Sequence, residues 1–195
     1  MIELTLDEES VKYKDLIDSS RFRDRISFLV NNPDLASSTL NSQWGIFKPC
    51  CWGTTAYLLG ANEKVKDIWL KEGNVLDDYS DALGDFIIIP DNDKPGYIGM
   101  VPMQLYLDTL QEKDMEKDCV VGLFWESPNC EGFTGFGLGH TGIYLGEYEG
   151  KHIMFEQKQI GKRFRFVSID DRVSELGDDS RRTLKMRYYS TSLLL

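Results

Sequence analysis

The sequence predicts an α+β domain: helices packed on a central antiparallel β-sheet, with the helices first in the chain and the sheet second. Three observations carry this prediction. Apolar residues recur at helical spacing near the start, at Val11, Leu16 and Ile17, then Phe22, Ile26, Leu29 and Val30. From Val120 onward the period changes, and short apolar runs rich in β-branched and aromatic residues take over. Tight turns separate those runs, which suits antiparallel neighbours. A chain of 195 residues fits one domain and can bury a core without a disulfide or metal staple.

The first 35 or so residues read as two helices, closed by the break Asn31-Asn32-Pro33. Residues 36 to 47 read as a loop leading into Lys48-Pro49-Cys50-Cys51-Trp52-Gly53-Thr54-Thr55-Ala56-Tyr57-Leu58-Leu59-Gly60. That stretch has the pattern of a short buried helix. Pro49 suits a first turn, Trp52, Ala56 and Leu59 share a face, and Gly60 supplies a left-handed stop. Asn62 to Glu72 reads as a further helix, ended by Gly73. Residues 85–90 read as a strand stopped by Pro90, and 91–96 as a turn. The acidic residues of that turn lack the spacing and closing glutamate of a calcium loop. Pro102 to Met115 is expected to be helical, and Val120 to Trp125 a buried strand.

Ser127 to Gly139 is a glycine-rich loop matching no phosphate-cradling motif. Its Gly132 to Gly139 portion is placed as a lid over the site. Two strands follow, His140–Gly146 and Lys151–Gln157, joined around Glu147-Tyr148-Glu149-Gly150. Arg163 to Ile169 is another strand, residues 170 to 182 a polar loop, and Leu184 to Tyr189 a last strand.

Composition narrows the function. The chain has 32 Asp and Glu against 22 Lys and Arg, a formal charge of -10. That balance disfavours nucleic acid or an anionic membrane as partner, since both require a basic footprint. The basic run Lys158, Lys162, Arg163 and Arg165 reads as a solvated strand face. No apolar run reaches bilayer length, and the start lacks the basic and apolar regions of a signal peptide. Four cysteines without regular spacing make no disulfide framework, so a cytoplasmic location with reduced thiols is expected.

The chemistry-bearing residues are few. A cysteine at the first turn of a helix faces free N–H groups and the positive end of the helix dipole, which stabilise a thiolate. Both Cys50 and Cys51 are in range, and either can instead be a small buried hydrophobe. A catalytic thiol needs a base, and that base needs an orienting group. Only His140 and His152 exist. His140 is expected to open a strand at the sheet edge, with Gly142 leaving space beside its ring, and His152 to be solvated near the hairpin tip. Strand parity narrows the third group. A three-residue loop Tyr148-Glu149-Gly150 pairs Glu147 with Lys151 and Gly142 with Glu156, leaving Glu156 diagonal to His140 and able to hold its Nδ1–H. A two-residue loop at Tyr148-Glu149 sets Gln157 opposite His140 instead. Gly150 favours the first.

A thiol at a helix start, a histidine on a strand and a polar residue on the next strand resemble the NlpC/P60 branch of the papain-like cysteine hydrolases. The resemblance covers roughly residues 45 to 170 and is most specific in His140-Thr141-Gly142-Ile143-Tyr144-Leu145-Gly146 and Ile153-Met154-Phe155-Glu156. It implies a papain-like NlpC/P60 domain over 1–195 with an N-terminal helical extension (about 1–40) and an insertion (about 74–118). It selects Cys51 over Cys50, because the family cysteine precedes a Gly-Thr/Ser-type run. The residues flanking the family cysteine differ here, being Cys50 and Trp52-Gly53. Cys-Trp is reminiscent of papain proper, which implies an oxyanion role for an upstream glutamine, here Gln43.

The expected function is a cysteine peptidase or amidase acting on a peptide or amide substrate through Cys51, His140 and Glu156, with no cofactor and no metal. The family resemblance implies a cell-wall-type peptide as substrate. Acyl transfer by the same residues, or a catalytically inactive binding domain on the same fold, are the alternatives. A zinc module of Cys50, Cys51, Cys130 and His140 ranks last, because adjacent cysteines chelate one tetrahedral ion poorly.

Overall fold

The computed structural model describes residues 6–33, 51–68, 100–126, 136–158, 163–177 and 183–192. Pro49, Cys50, Gln43, Cys130, Lys162, the expected strand at 85–90, the turn at 91–96 and the lid segment 132–135 lie outside these residues.

Helices α1 (Leu6–Lys12), α2 (Lys14–Asp18) and α3 (Arg23–Asn31) open the chain. The two helices expected there are three, because Tyr13 interrupts the first after seven residues. Val11, expected on the apolar face, is exposed. Ile17, Phe22, Ile26, Leu29 and Val30 carry that face into the core. Helix α4 (Cys51–Leu59) follows, then a helical stretch at 62–68 and α5 (Met100–Leu107). Helix α5 was expected to reach Met115. It stops at Leu107 because the next residues turn and feed β1 (Glu112–Lys113), which pairs with the last strand through Glu112–Tyr189 and Lys113–Tyr188.

Among the described residues the further elements are β2 (Val120–Glu126), β3 (Phe136–Tyr148), β4 (Lys151–Gln157), β5 (Phe164–Ser168), α6 (Ile169–Leu176) and β6 (Thr183–Tyr189). The strands form one sheet in the order β1-β6-β2-β3-β4-β5, with every pairing antiparallel. The described residues thus form a mixed α+β structure on a six-stranded antiparallel sheet.

Side-chain alternation gives the sheet two apolar faces. Ile143, Leu145, Ile153 and Phe155 join the core made with α2, α3, α4 and α5. Val121, Leu123, Tyr144, Met154 and Val167 form the other face, against Ile169, Val173 and Leu176 of α6. Helix α6 replaces the expected polar loop. Its apolar residues fall at i, i+4 and i+7. Ser168 caps it by accepting from the Asp171 N–H at 3.0 Å, Asp170 and Asp171 occupy the first turn, and Gly177 ends it at φ 67°.

Gly142 lies in the middle of the sheet. A Cβ there would stand 2.9 Å from the Phe155 carbonyl oxygen, 3.4 Å from Met154 Sδ and 3.5 Å from Glu156 Cβ. The expected open space beside His140 is therefore filled by β4. Gly142→Ala is expected to cost about 1–3 kcal/mol through overpacking against backbone that cannot move aside. Urea unfolding measures it, and an unchanged midpoint would contradict this packing.

Candidate active site

Helix α4 sets Cys51 at its first position. All but one of its residues are buried, the exception being Tyr57, so the helix is held by packing around most of its circumference. Its far end is closed twice. Gly60, at φ 67°, donates to the Tyr57 carbonyl at 3.0 Å, and Ala61 donates to Ala56 at 2.8 Å, the paired bonds of a glycine C-cap. Arg25 of α3 donates to the carbonyls of Tyr57 at 3.1 Å and Leu58 at 2.6 Å. Near its start, Thr54 donates its hydroxyl to Gln157 Oε1 at 2.8 Å, tying α4 to β4. The first N–H groups of α4 and the positive end of its dipole are thus fixed around Cys51, which is 4% exposed.

His140 does not open a strand at the sheet edge. Strand β3 begins at Phe136, and His140 lies within it, between β2 and β4, 1% exposed. The glycines around it pair as strand because Trp125 and Glu126 continue the β2 ladder to Gly137 and Phe136. A bulge matters here. Leu138 pairs with Phe124 and His140 with Leu123, so Gly139 is the extra residue. Phe124 faces the α4 side and Leu123 the α6 side, so the bulge places Leu138, the residue before it, on the α4 side. His140 alternates with Gly142 and Tyr144, and Tyr144 pairs with Met154, so His140 shares the face of Met154 and Glu156.

The hairpin differs from expectation, yet reaches the same pairing at the site. Its loop is two residues, Glu149 and Gly150, both at positive φ (49° and 74°), so Tyr148 pairs with Lys151 and Glu147 with His152. A bulge between Tyr144 and Gly146 then restores the expected register, with Tyr144 opposite Met154 and Ile143 opposite Phe155. Continued by one residue, this sets Gly142 beside Glu156, as the short Cβ separation shows. Gln157 points to the other side, toward Thr54.

Glu156 bonds His140 through Nε2, not through Nδ1 as expected. Nδ1 is therefore the nitrogen left for other partners. His140 is hydrogen-bonded to the Cys51 side chain, and Arg172 Nη2 lies 3.1 Å from Nδ1. Cys51 belongs to the core on the α4 side, and Arg172 to the helix on the opposite side, so the imidazole connects the two layers.

Glu156, 1% exposed, is surrounded by cations. Arg165 Nε donates to its Oε1 at 2.7 Å, and Arg172 Nε lies 3.2 Å from Oε2. Arg165 makes a bidentate pair with Glu175 at 2.9 and 2.7 Å, and Arg172 Nη1 donates to Glu175 at 3.0 Å. Lys158 approaches Glu175 at 3.3 Å. The run read as a solvated basic face is thus partly an interior one: Arg165 is buried because it neutralises two carboxylates. His152 is likewise not simply solvated. It is half-buried, with Nδ1 2.9 Å from the Tyr144 hydroxyl.

The electrostatics follow from these contacts. Burial works against the imidazolium of His140, but the Cys51 thiolate and Glu156 outweigh it and push its pKa up to about 9. Burial also opposes the Glu156 carboxylate. The His140 hydrogen bond and the charges of His140, Arg172 and Arg165 outweigh that and hold it below the ordinary glutamate range. Hydrogen bonds from Arg165 hold Glu175 down at about 2. Sequence reasoning missed Arg165, Arg172 and Glu175. The signal for the last two was the Ser168-x-x-Asp171 cap with Gly177, which marks a helix carrying both toward β4 and β5.

No family model, curated protein or solved structure matches this chain. Among the described residues, no helix is long and apolar enough to cross a membrane, and no group of three or more His, Cys, Asp or Glu is arranged to hold a metal ion.

Glu175 links this network to pH. Its folded pKa lies below its unfolded value, so its stabilisation is present above about pH 4.5 and is lost as pH falls toward about 2. Glu175→Gln is expected to flatten the fall in stability over that window. Urea midpoints at several acidic pH values measure it, and an equal slope in both proteins would contradict the pairing.

Proposed function

We propose that this chain is a cysteine hydrolase of the papain-like type, resembling the NlpC/P60 branch, that cleaves an amide bond. One observation carries the proposal. Cys51, at the start of a buried helix, is hydrogen-bonded to His140, whose Nε2 is bonded to the buried carboxylate of Glu156. Cys51 Sγ, as thiolate, attacks the amide carbonyl, and the Cys51 N–H at the helix start donates to the developing oxyanion. His140 holds the proton taken from the thiol and gives it to the leaving amine, which departs. Water, deprotonated by His140, then attacks the thioester and releases the acid, restoring the thiol. Glu156 keeps the imidazole oriented and stabilises its charge. If an amine or hydroxyl replaces water, the same residues transfer the acyl group. The substrate class proposed from the resemblance is a cell-wall-type peptide.

The burial of all three side chains favours a second reading, a catalytically inactive binding domain on the same architecture. Mass-spectrometric assay of cell-wall-type stem peptides and simple peptide amides separates the two. Cleavage by the wild type, with Cys51→Ala and His140→Ala each lower by roughly a thousandfold or more, supports the hydrolase. Glu156→Gln is expected to lose about a hundredfold. Activity should also decline above about pH 9, as His140 loses the proton that the leaving amine requires. Binding without cleavage, or cleavage that survives Cys51→Ala, would overturn the proposal.

A further inference from the structure

His140 is held at both ring nitrogens, by Glu156 at Nε2 and by Arg172 at Nδ1. A Cys51 thiolate favours the imidazolium, which carries a proton on both nitrogens. The Arg172 guanidinium can only donate, so its Nη2, at 3.1 Å, bonds Nδ1 only when that nitrogen is bare. The guanidinium is not free to swing aside. It is 5% exposed, with Nη1 bonded to Glu175 at 3.0 Å and Nε 3.2 Å from Glu156 Oε2. Glu175 is itself held by the bidentate pair with Arg165.

We propose that Arg172 is a positioning residue. It holds neutral His140 as the Nε2–H tautomer by donating to the Nδ1 lone pair, and its charge favours passage of the imidazolium proton to the leaving amine. The inference rests on the hydrolase reading for its purpose, but not for its geometry. Glu156 selects the same tautomer from the other nitrogen, since Nε2 must carry a proton to donate to it. The two groups act in opposite senses on the imidazolium: the carboxylate stabilises it and the guanidinium opposes it. The buried charges permit this balance. Glu156 and Glu175 offset Arg165 and Arg172, so the Cys51–His140 pair adds no net charge whether the proton sits on sulfur or on nitrogen. The charged or titratable groups around the ring are Cys51 on α4, Glu156 on β4, Arg165 on β5, and Arg172 and Glu175 on α6, with Lys158 just beyond β4. On β2 its partner is the apolar Leu123.

The test is ¹⁵N NMR of the full chain labelled at histidine, which shows only two residues. Above its titration midpoint, wild-type His140 should carry its proton on Nε2, with Nδ1 bare and hydrogen-bonded. In Arg172→Met the midpoint should rise by about one pH unit, because a neighbouring cation has gone. Arg172→Lys, which keeps the charge, should return it to the wild-type value. The His152 signal reports that each variant is folded. An unmoved or lowered midpoint in folded Arg172→Met would overturn the inference, as would a neutral wild-type His140 protonated on Nδ1. Should Arg172→Met not fold, the wild-type tautomer decides. Cys51→Ala tests the underlying pair separately. Its midpoint should fall, and a midpoint unchanged there counts against the hydrolase reading while leaving the Arg172 result to stand by itself.

Discussion

Glu156 is a buried carboxylate, and most of the site's arrangement follows from what it takes to keep it charged. Removing one carboxylate from water costs several kcal/mol unless it is paired and hydrogen-bonded. Here His140 and Arg165 satisfy separate oxygens, while Arg172 lies beside the oxygen that His140 uses. Those guanidiniums would themselves be costly to bury without Glu175, which binds both. The result ties β4, β5 and α6 to one imidazole. Removing any member leaves a charge unpaired in the interior, which is why such a network fixes positions more firmly than its pairwise energies suggest.

The backbone supplies the other half. Cys51 and Arg172 belong to helices on opposite faces of the sheet, yet both reach His140. Strand register brings this about. Alternation from Tyr144 through Gly142 keeps His140 on the face of Glu156, and a bulge at Leu145 returns the hairpin to the register in which Glu156 lies diagonal to it. Without that bulge, the two-residue loop at Glu149-Gly150 would shift β4 by one residue and turn Glu156 away from the ring. The loop and the bulge are therefore a matched pair of features.

Much of this was legible in the sequence. The buried helix at Cys51, its stop at Gly60 and the strands from Val120 onward follow from local pattern and turn chemistry, and they are present in the structure. The pairing of Gly142 with Glu156 was also expected, but for a different reason. A three-residue turn and a two-residue turn with a bulge give the same register, and parity cannot tell them apart. What was not legible is tertiary. Arg165 looked solvated because its run is basic, and only the positions of Glu156 and Glu175 make it an interior residue. His140 looked terminal because glycines precede it, whereas pairing with β2 makes Phe136 to Gly139 strand. Helix α6 is short and polar on one side, and its apolar stripe was outweighed by Asp170, Asp171 and Glu175.

Cys51 and His140 are proposed to form a pair in which the thiol readily gives up its proton. The most direct measurement is the thiolate absorbance near 240 nm as a function of pH, taken as the difference between the wild type and Cys51→Ala. This difference is expected to persist well below the ordinary cysteine range of about 8.5 and to be lost at neutral pH in His140→Ala. A thiolate that appears only above about pH 8.5 and is indifferent to His140 would contradict it, and would leave Cys51 as a residue of the core.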